Sequence, residues 1–167
     1  VGVHDDAVDE LRTYVEFVAS LRRRDKRDGY AYAGVEDFVS SHGRVWAVSP
    51  VQKWPKIPVH FKGCFENALR LAKRYPARYR YVEGIASGRV IPVHHAWCVD
   101  QDDLVIDPTW SKYSTVGGAY FGVEIPTDVA SKIANARCTS VVLNWPDVPL
   151  LKKPWVAGAS GEVHDVQ

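Results

Sequence analysis

The chain has 167 residues, of which 46% are hydrophobic and 25% charged, with a formal net charge of +1. This composition fits one folded domain, excludes a disordered chain, and gives no warrant for a nucleic-acid or membrane surface. Three cysteines do not make a disulfide framework, no apolar run approaches the ~20 residues that cross a bilayer, and no signal-peptide pattern opens the chain.

A cytoplasmic protein is the expectation. Val8, Leu11, Val15, Val18 and Leu21 follow the three-and-four spacing of an amphipathic helix, with Asp5 or Asp6 to cap it. The basic run Arg22 to Arg27 falls at that helix's end, where cations favour the dipole, and reads as a solvated terminus, with a binding patch as the alternative. Gly29 and Gly34 break the helix, a short one follows over 35–41, and residues 44–48 suit a strand. Residues 1–43 thus form an N-terminal helical segment. Pro50, Pro55 and Pro58 make 49–63 a loop that leads to Cys64.

From Cys64 to about Tyr75, Phe65, Ala68, Leu69, Leu71 and Ala72 predict a buried helix, which Pro76 stops. Strands are predicted over 79–86, 90–99, 104–106, 120–125 and 139–143, with a helix from Thr127 to Ala136. The segment 146–167 is proline-dotted and weakly patterned, a tail that wraps or frays. Helices first and then mostly antiparallel strands predict a single α+β domain over 1–167, with the Cys64 helix packed on the sheet.

Chemistry concentrates at Cys64, His95 and Asp107. A helix start favours a thiolate, because unpaired N–H groups and the positive dipole end face it. A histidine on a strand and a carboxylate at a strand end complete a nucleophile, base and orienter. His94 and His95 point to opposite faces of their strand, so one of them faces the helix. A three-residue hairpin, Asp100 to Asp102, would set His95 opposite Asp107 with Cβ atoms ~5 Å apart. A two-residue turn would oppose His94 instead, and periodicity does not choose between them. The Cys64 N–H can supply one oxyanion donor, and Gln52, Trp54 and Asn67 are candidates for a second donor or for support.

Cys98 and Cys138 read as packing residues. No metal site is expected: His94 and Cys98 share a strand face but stand ~13 Å apart, and no Cys-x-x-Cys pair exists. Gly117-Gly118 lacks a phosphate-loop pattern, so no cofactor is expected either.

The stretch His95-Ala96-Trp97-Cys98-Val99-Asp100, followed by Leu104-Val105-Ile106-Asp107-Pro108-Thr109, resembles the His-Ala-Trp and Asp-Pro-Thr run of transglutaminase-like proteins. The likeness runs from Lys62 to Thr109, under a third of the chain. The family often carries tryptophan directly after the cysteine, where this chain has Phe65. The resemblance implies a papain-like core with Cys64 as nucleophile, His95 as base and Asp107 as orienter. Trp97 and Trp110 are then substrate-binding candidates. It implies thiol-dependent hydrolase or acyltransferase chemistry of peptidase, deamidase or transglutaminase type on a protein, peptide or small amide. A catalytically inactive module that binds a partner protein is the alternative.

Overall fold

The structure, a computed structural model, describes residues 3–88, 91–113, 116–137, 139–143 and 149–156. Helices α1 (Val3–Arg24) and α2 (Val35–His42) precede strand β1 (Arg44–Val48). Leu11, Val15 and Ala19 of α1 are buried, and their four-residue spacing keeps them on one face. Leu21, expected on that stripe, is 40% exposed because α1 outruns the core there. Arg22 and Arg23 pair with Glu36 and Asp37 of α2, so the basic run is partly a helix–helix clasp.

The next elements are α3 (Cys64–Arg74), β2 (Arg80–Ser87), β3 (Pro92–Val99), β4 (Leu104–Ile106), a short α4 (Trp110–Tyr113), β5 (Tyr120–Glu124), α5 (Thr127–Arg137) and α6 (Pro149–Lys152). The mixed α and β composition and the prevalence of antiparallel pairs agree with the sequence. The sheet itself differs from expectation. It closes into a barrel in the order β1-β4-β3-β2-β5, with β1 parallel to β4 and antiparallel to β5.

Closure needs room inside, and two glycines supply it. Gly84 of β2 and Gly122 of β5 face each other across the ladder. A Cβ on Gly84 would lie 2.4 Å from the Gly122 Cα, and one on Gly122 would lie 2.6 Å from the Trp97 ring. The space is taken by Trp46, Val82, Ala86, Trp97, Val99, Val105 and Tyr120, all buried. Alternate residues of the same strands, including Tyr81, Ile85, Ala96 and Cys98, face outward into a second core with Leu11, Phe38, Ala68, Leu71 and Ile133 of the helices.

Two further expectations fail for identifiable reasons. The β3–β4 hairpin pairs Val99 with Val105 and Cys98 with Ile106, so its connection is longer than three residues. Asp103 takes a left-handed φ of 61°, and the Asp100 carboxylate receives the Asp102 and Leu104 N–H groups, which stabilises the wider turn. Residues 139–143 form no strand: the N–H groups of Val142 and Leu143 go to the buried carboxylate of Glu83 instead of to a ladder. The described part of the C-terminal tail wraps. Leu151 is fully buried, and its carbonyl receives the N–H groups of Ala31 and Tyr32. Cys138 and residues 157–167 lie outside the described residues.

The barrel interior makes a direct prediction. Gly122→Ala should lower stability by about 3 kcal/mol, because the added methyl meets Trp97 and backbone that cannot yield without opening the ladder. Urea unfolding measures it; a loss under about 0.5 kcal/mol would contradict the packing described.

Candidate active site

Cys64 is the first residue of α3, and Gly63 before it offers no side-chain cap. The junction is braced by Asn67 instead. Its Oδ1 accepts the His60 N–H at 2.9 Å, and its Nδ2 donates to the His60 carbonyl at 2.8 Å and to Thr109 Oγ1 at 2.9 Å. One buried amide thus ties the loop before Cys64 to the segment after Asp107. The first helical return bond runs from the Asn67 N–H to the Gly63 carbonyl, which leaves the N–H groups at Cys64 and Phe65 without intrahelical partners.

His95 lies between the thiol and the carboxylate. Its Nε2 is 2.7 Å from Asp107 Oδ2, and the Cys64 side chain is near enough to the ring to help it hold its proton. Since Nε2 is taken by Asp107, Nδ1 is the ring nitrogen left for the thiol. The ring is almost fully buried, stacked on Trp110 at 4.0 Å with the planes 17° apart. Burial is the largest influence and favours the neutral ring. The Asp107 hydrogen bond and the attraction of Asp107 and Cys64 together outweigh it, and His95 rises from 6.5 to about 9.

Asp107 is fully buried and saturated with donors. Oδ1 receives the N–H groups of Thr109 and Trp110, and Oδ2 receives His95 and the Tyr120 hydroxyl at 2.9 Å. Burial and the neighbouring Asp107 charge push the Tyr120 phenol far up, so it stays a donor. The strand register explains how His95 and Asp107 meet despite the longer hairpin. The pairing is displaced by two residues, which preserves the face, so the two groups become diagonal instead of direct neighbours. Only Cys98 and Val99 of β3 pair with β4, so His95 lies beyond the paired stretch of that ladder.

The other residues singled out from the sequence separate clearly. Gln52 is no oxyanion donor: its amide N–H groups go to the Ser49 and Val105 carbonyls, and its Oε1 accepts the Asp107 N–H. It buttresses the orienting carboxylate. Asn67 is likewise committed to support. Trp54 is half-buried against the helix-side core and has no hydrogen bond among the described residues. Trp97 is fully buried inside the barrel and is not a substrate contact, because the strand alternation that points His95 inward points Trp97 inward too. Trp110 is part-exposed and covers the His95 ring. Cys98 is fully buried with its Sγ 3.2 Å from the Ala68 carbonyl, and burial pushes its thiol well up.

A second histidine–carboxylate pair adjoins the first. His94 Nε2 is 2.9 Å from Glu83 Oε1, and the His94 ring packs edge-on against Phe65 at 4.9 Å. Both histidines therefore reach the start of α3, not one alone. Glu83, fully buried, also receives the Tyr81 hydroxyl at 2.6 Å. A lone glutamate in the apolar run Tyr81 to Ile85 was the available signal for it. Tyr120 had none beyond the rule that a buried phenol needs a partner.

Among the described residues, no group of three or more His, Cys, Asp or Glu side chains is placed to hold a metal ion, and no helix is long and apolar enough to cross a membrane. Comparison with protein-family models, curated proteins and solved structures returns no match.

The His95 shift sets a pH dependence. The folded ring holds its proton up to about 9, whereas the unfolded ring releases it near 6.5. Its contribution to stability is therefore complete below 6.5 and lost as pH rises through about 9. Urea unfolding between about pH 6 and about pH 10 should show a decline on the order of 3 kcal/mol, flattened in Asp107→Asn. The same decline in His95→Ala would contradict the assignment.

Proposed function

We propose that this protein is a thiol-dependent hydrolase or acyltransferase that acts on an amide or acyl bond, with Cys64 as nucleophile, His95 as acid–base group and Asp107 as orienter. The observation that carries the reading is the buried His95 ring, hydrogen-bonded to Asp107 and interacting with the Cys64 side chain. The order of a cysteine at a helix start, then histidine, then aspartate is also that of the transglutaminase-like proteins that the sequence resembles.

In the reaction, the Cys64 sulfur attacks the carbonyl carbon while His95 carries the proton. The oxyanion that forms lies at the start of α3, where the Cys64 N–H is free to donate. Of the side chains considered for a second donor, Trp54 alone keeps an uncommitted N–H among the described residues. His95 then protonates the leaving group, and a thioester remains on Cys64. Water or an amine, deprotonated by His95, releases the acyl group and restores the thiol. Asp107, bound to Nε2, holds the ring in the tautomer that leaves Nδ1 for the thiol. Trp110 keeps bulk water from the ring face. The cycle calls for no cofactor.

Turnover of an activated ester and of simple amides tests this. Cys64→Ala should abolish turnover, and His95→Ala and Asp107→Asn should each reduce kcat by about 10²–10⁴. His94→Ala should cost about tenfold or less, since His94 touches Phe65 and Glu83 and not the thiol–carboxylate axis. Full turnover by Cys64→Ala would remove Cys64 from the nucleophile role.

A further inference from the structure

The thiol site has a rim that its chemistry does not use. The turn at Phe61 and Lys62 leads into Gly63, and α4, which follows Asp107, ends in Lys112 and Tyr113. Phe61 is 66% exposed and Tyr113 42%, yet their rings meet edge-on with centroids 5.5 Å apart. The Tyr113 hydroxyl donates to the Val59 carbonyl at 2.7 Å, and Lys112 Nζ lies 3.5 Å from the same oxygen. The turn and the helix are thus fastened into one surface. Each ring carries a cation: Lys62 Nζ is 5.5 Å from the Phe61 centroid, and Lys112 Nζ is 5.2 Å from that of Tyr113. Neither lysine has a carboxylate partner among the described residues; the nearby Glu66 is paired with His60 and Arg70.

The backbone is strained here as well. Lys62 holds a left-handed φ of 58°, a conformation that glycine adopts easily and a long side chain does not. Strain of this kind persists where the surroundings impose it, and it clusters at binding sites. The turn keeps an aromatic ring and a cation in water, two residues before the nucleophile. Val93 lies on the same strand face as His95, two residues away, and is 36% exposed. An exposed apolar floor with two unneutralised cations is complementary to a chain that pairs an apolar side chain with a carboxylate.

We infer that the substrate is a peptide or protein segment with an acidic residue beside an apolar one. The apolar side chain lies on the Phe61–Tyr113 pair, the carboxylate sits between Lys62 and Lys112, and the reacting carbonyl extends toward Cys64. A small amide without these groups would leave the rim empty. This inference rests on the thiol reading of Cys64 and names the substrate class of that site.

Matched peptidyl acyloxymethyl ketones test it, one with Asp beside Leu and one with Lys in its place. The Cys64 thiolate displaces the carboxylate leaving group, which departs with its electron pair as the sulfur–carbon bond forms, and peptide mapping reads the rate. Each rate is divided by that for iodoacetamide, which needs no contact with the rim. The acidic peptide should label Cys64 about tenfold faster than the basic one at low salt. The advantage should shrink as salt rises and vanish in a Lys62→Gly, Lys112→Gln double variant. Glycine relieves the strained turn, so that variant is expected to fold. Equal rates for the two peptides, with iodoacetamide labelling intact, overturn this inference alone. If iodoacetamide does not label Cys64 in the parent protein, the thiol reading fails and the inference fails with it.

Discussion

The buried carboxylate of Asp107 is the constraint on which the rest of the structure turns. An ionised carboxylate without partners in a protein interior is prohibitively unfavourable, so its donors must be in place when the chain folds. Those donors come from three elements: His95 from β3, Tyr120 from β5, and the N–H groups of Thr109 and Trp110 from the turn into α4. Gln52 fixes the same residue from the loop before α3, by accepting its backbone N–H. Satisfying one charge therefore aligns two strands, a turn and a loop. The histidine orientation that thiol chemistry needs is in this sense a condition of the fold.

Glu83 repeats the arrangement on the other side of the barrel wall. It is equally buried, and it binds His94, Tyr81 and the backbone N–H groups of Val142 and Leu143. Adjacent residues of one strand thus hold carboxylate-bound histidines on opposite faces, and each histidine touches the first turn of α3. His95 meets the thiol, and His94 meets Phe65. The Cys64 end of the helix is gripped from both faces of β3, which holds Cys64 in place without a side-chain cap.

What the sequence made legible were features carried by local pattern. The Cys64 helix, the β-branched run before Val99, the Asp107 turn and the order of the three reactive groups are all properties of short windows. Closure of the barrel was not legible, because it depends on two glycines far apart in sequence, Gly84 and Gly122, that face each other. The hairpin length was misread because the turn is set by the Asp100 side chain and a left-handed Asp103, not by strand periodicity. The misreading left the site intact, since a slip of two residues returns every side chain to its face. The resemblance makes Trp97 a substrate candidate, and the sequence leaves Gln52 and Asn67 open between an oxyanion donor and support. The structure commits the tryptophan to the barrel core and the amides to backbone and side-chain partners.

The account stands or falls on whether Cys64 accepts an acyl group. The direct measurement is mass spectrometry of the full chain after brief incubation with an activated acyl ester, followed by peptide mapping. The account predicts a single acyl adduct, located on Cys64, that disappears on further incubation as water or an added amine takes the acyl group, and that does not form in His95→Ala at the same pH. An adduct spread equally over Cys64 and Cys98, or none on Cys64 while the ester is consumed, would contradict it.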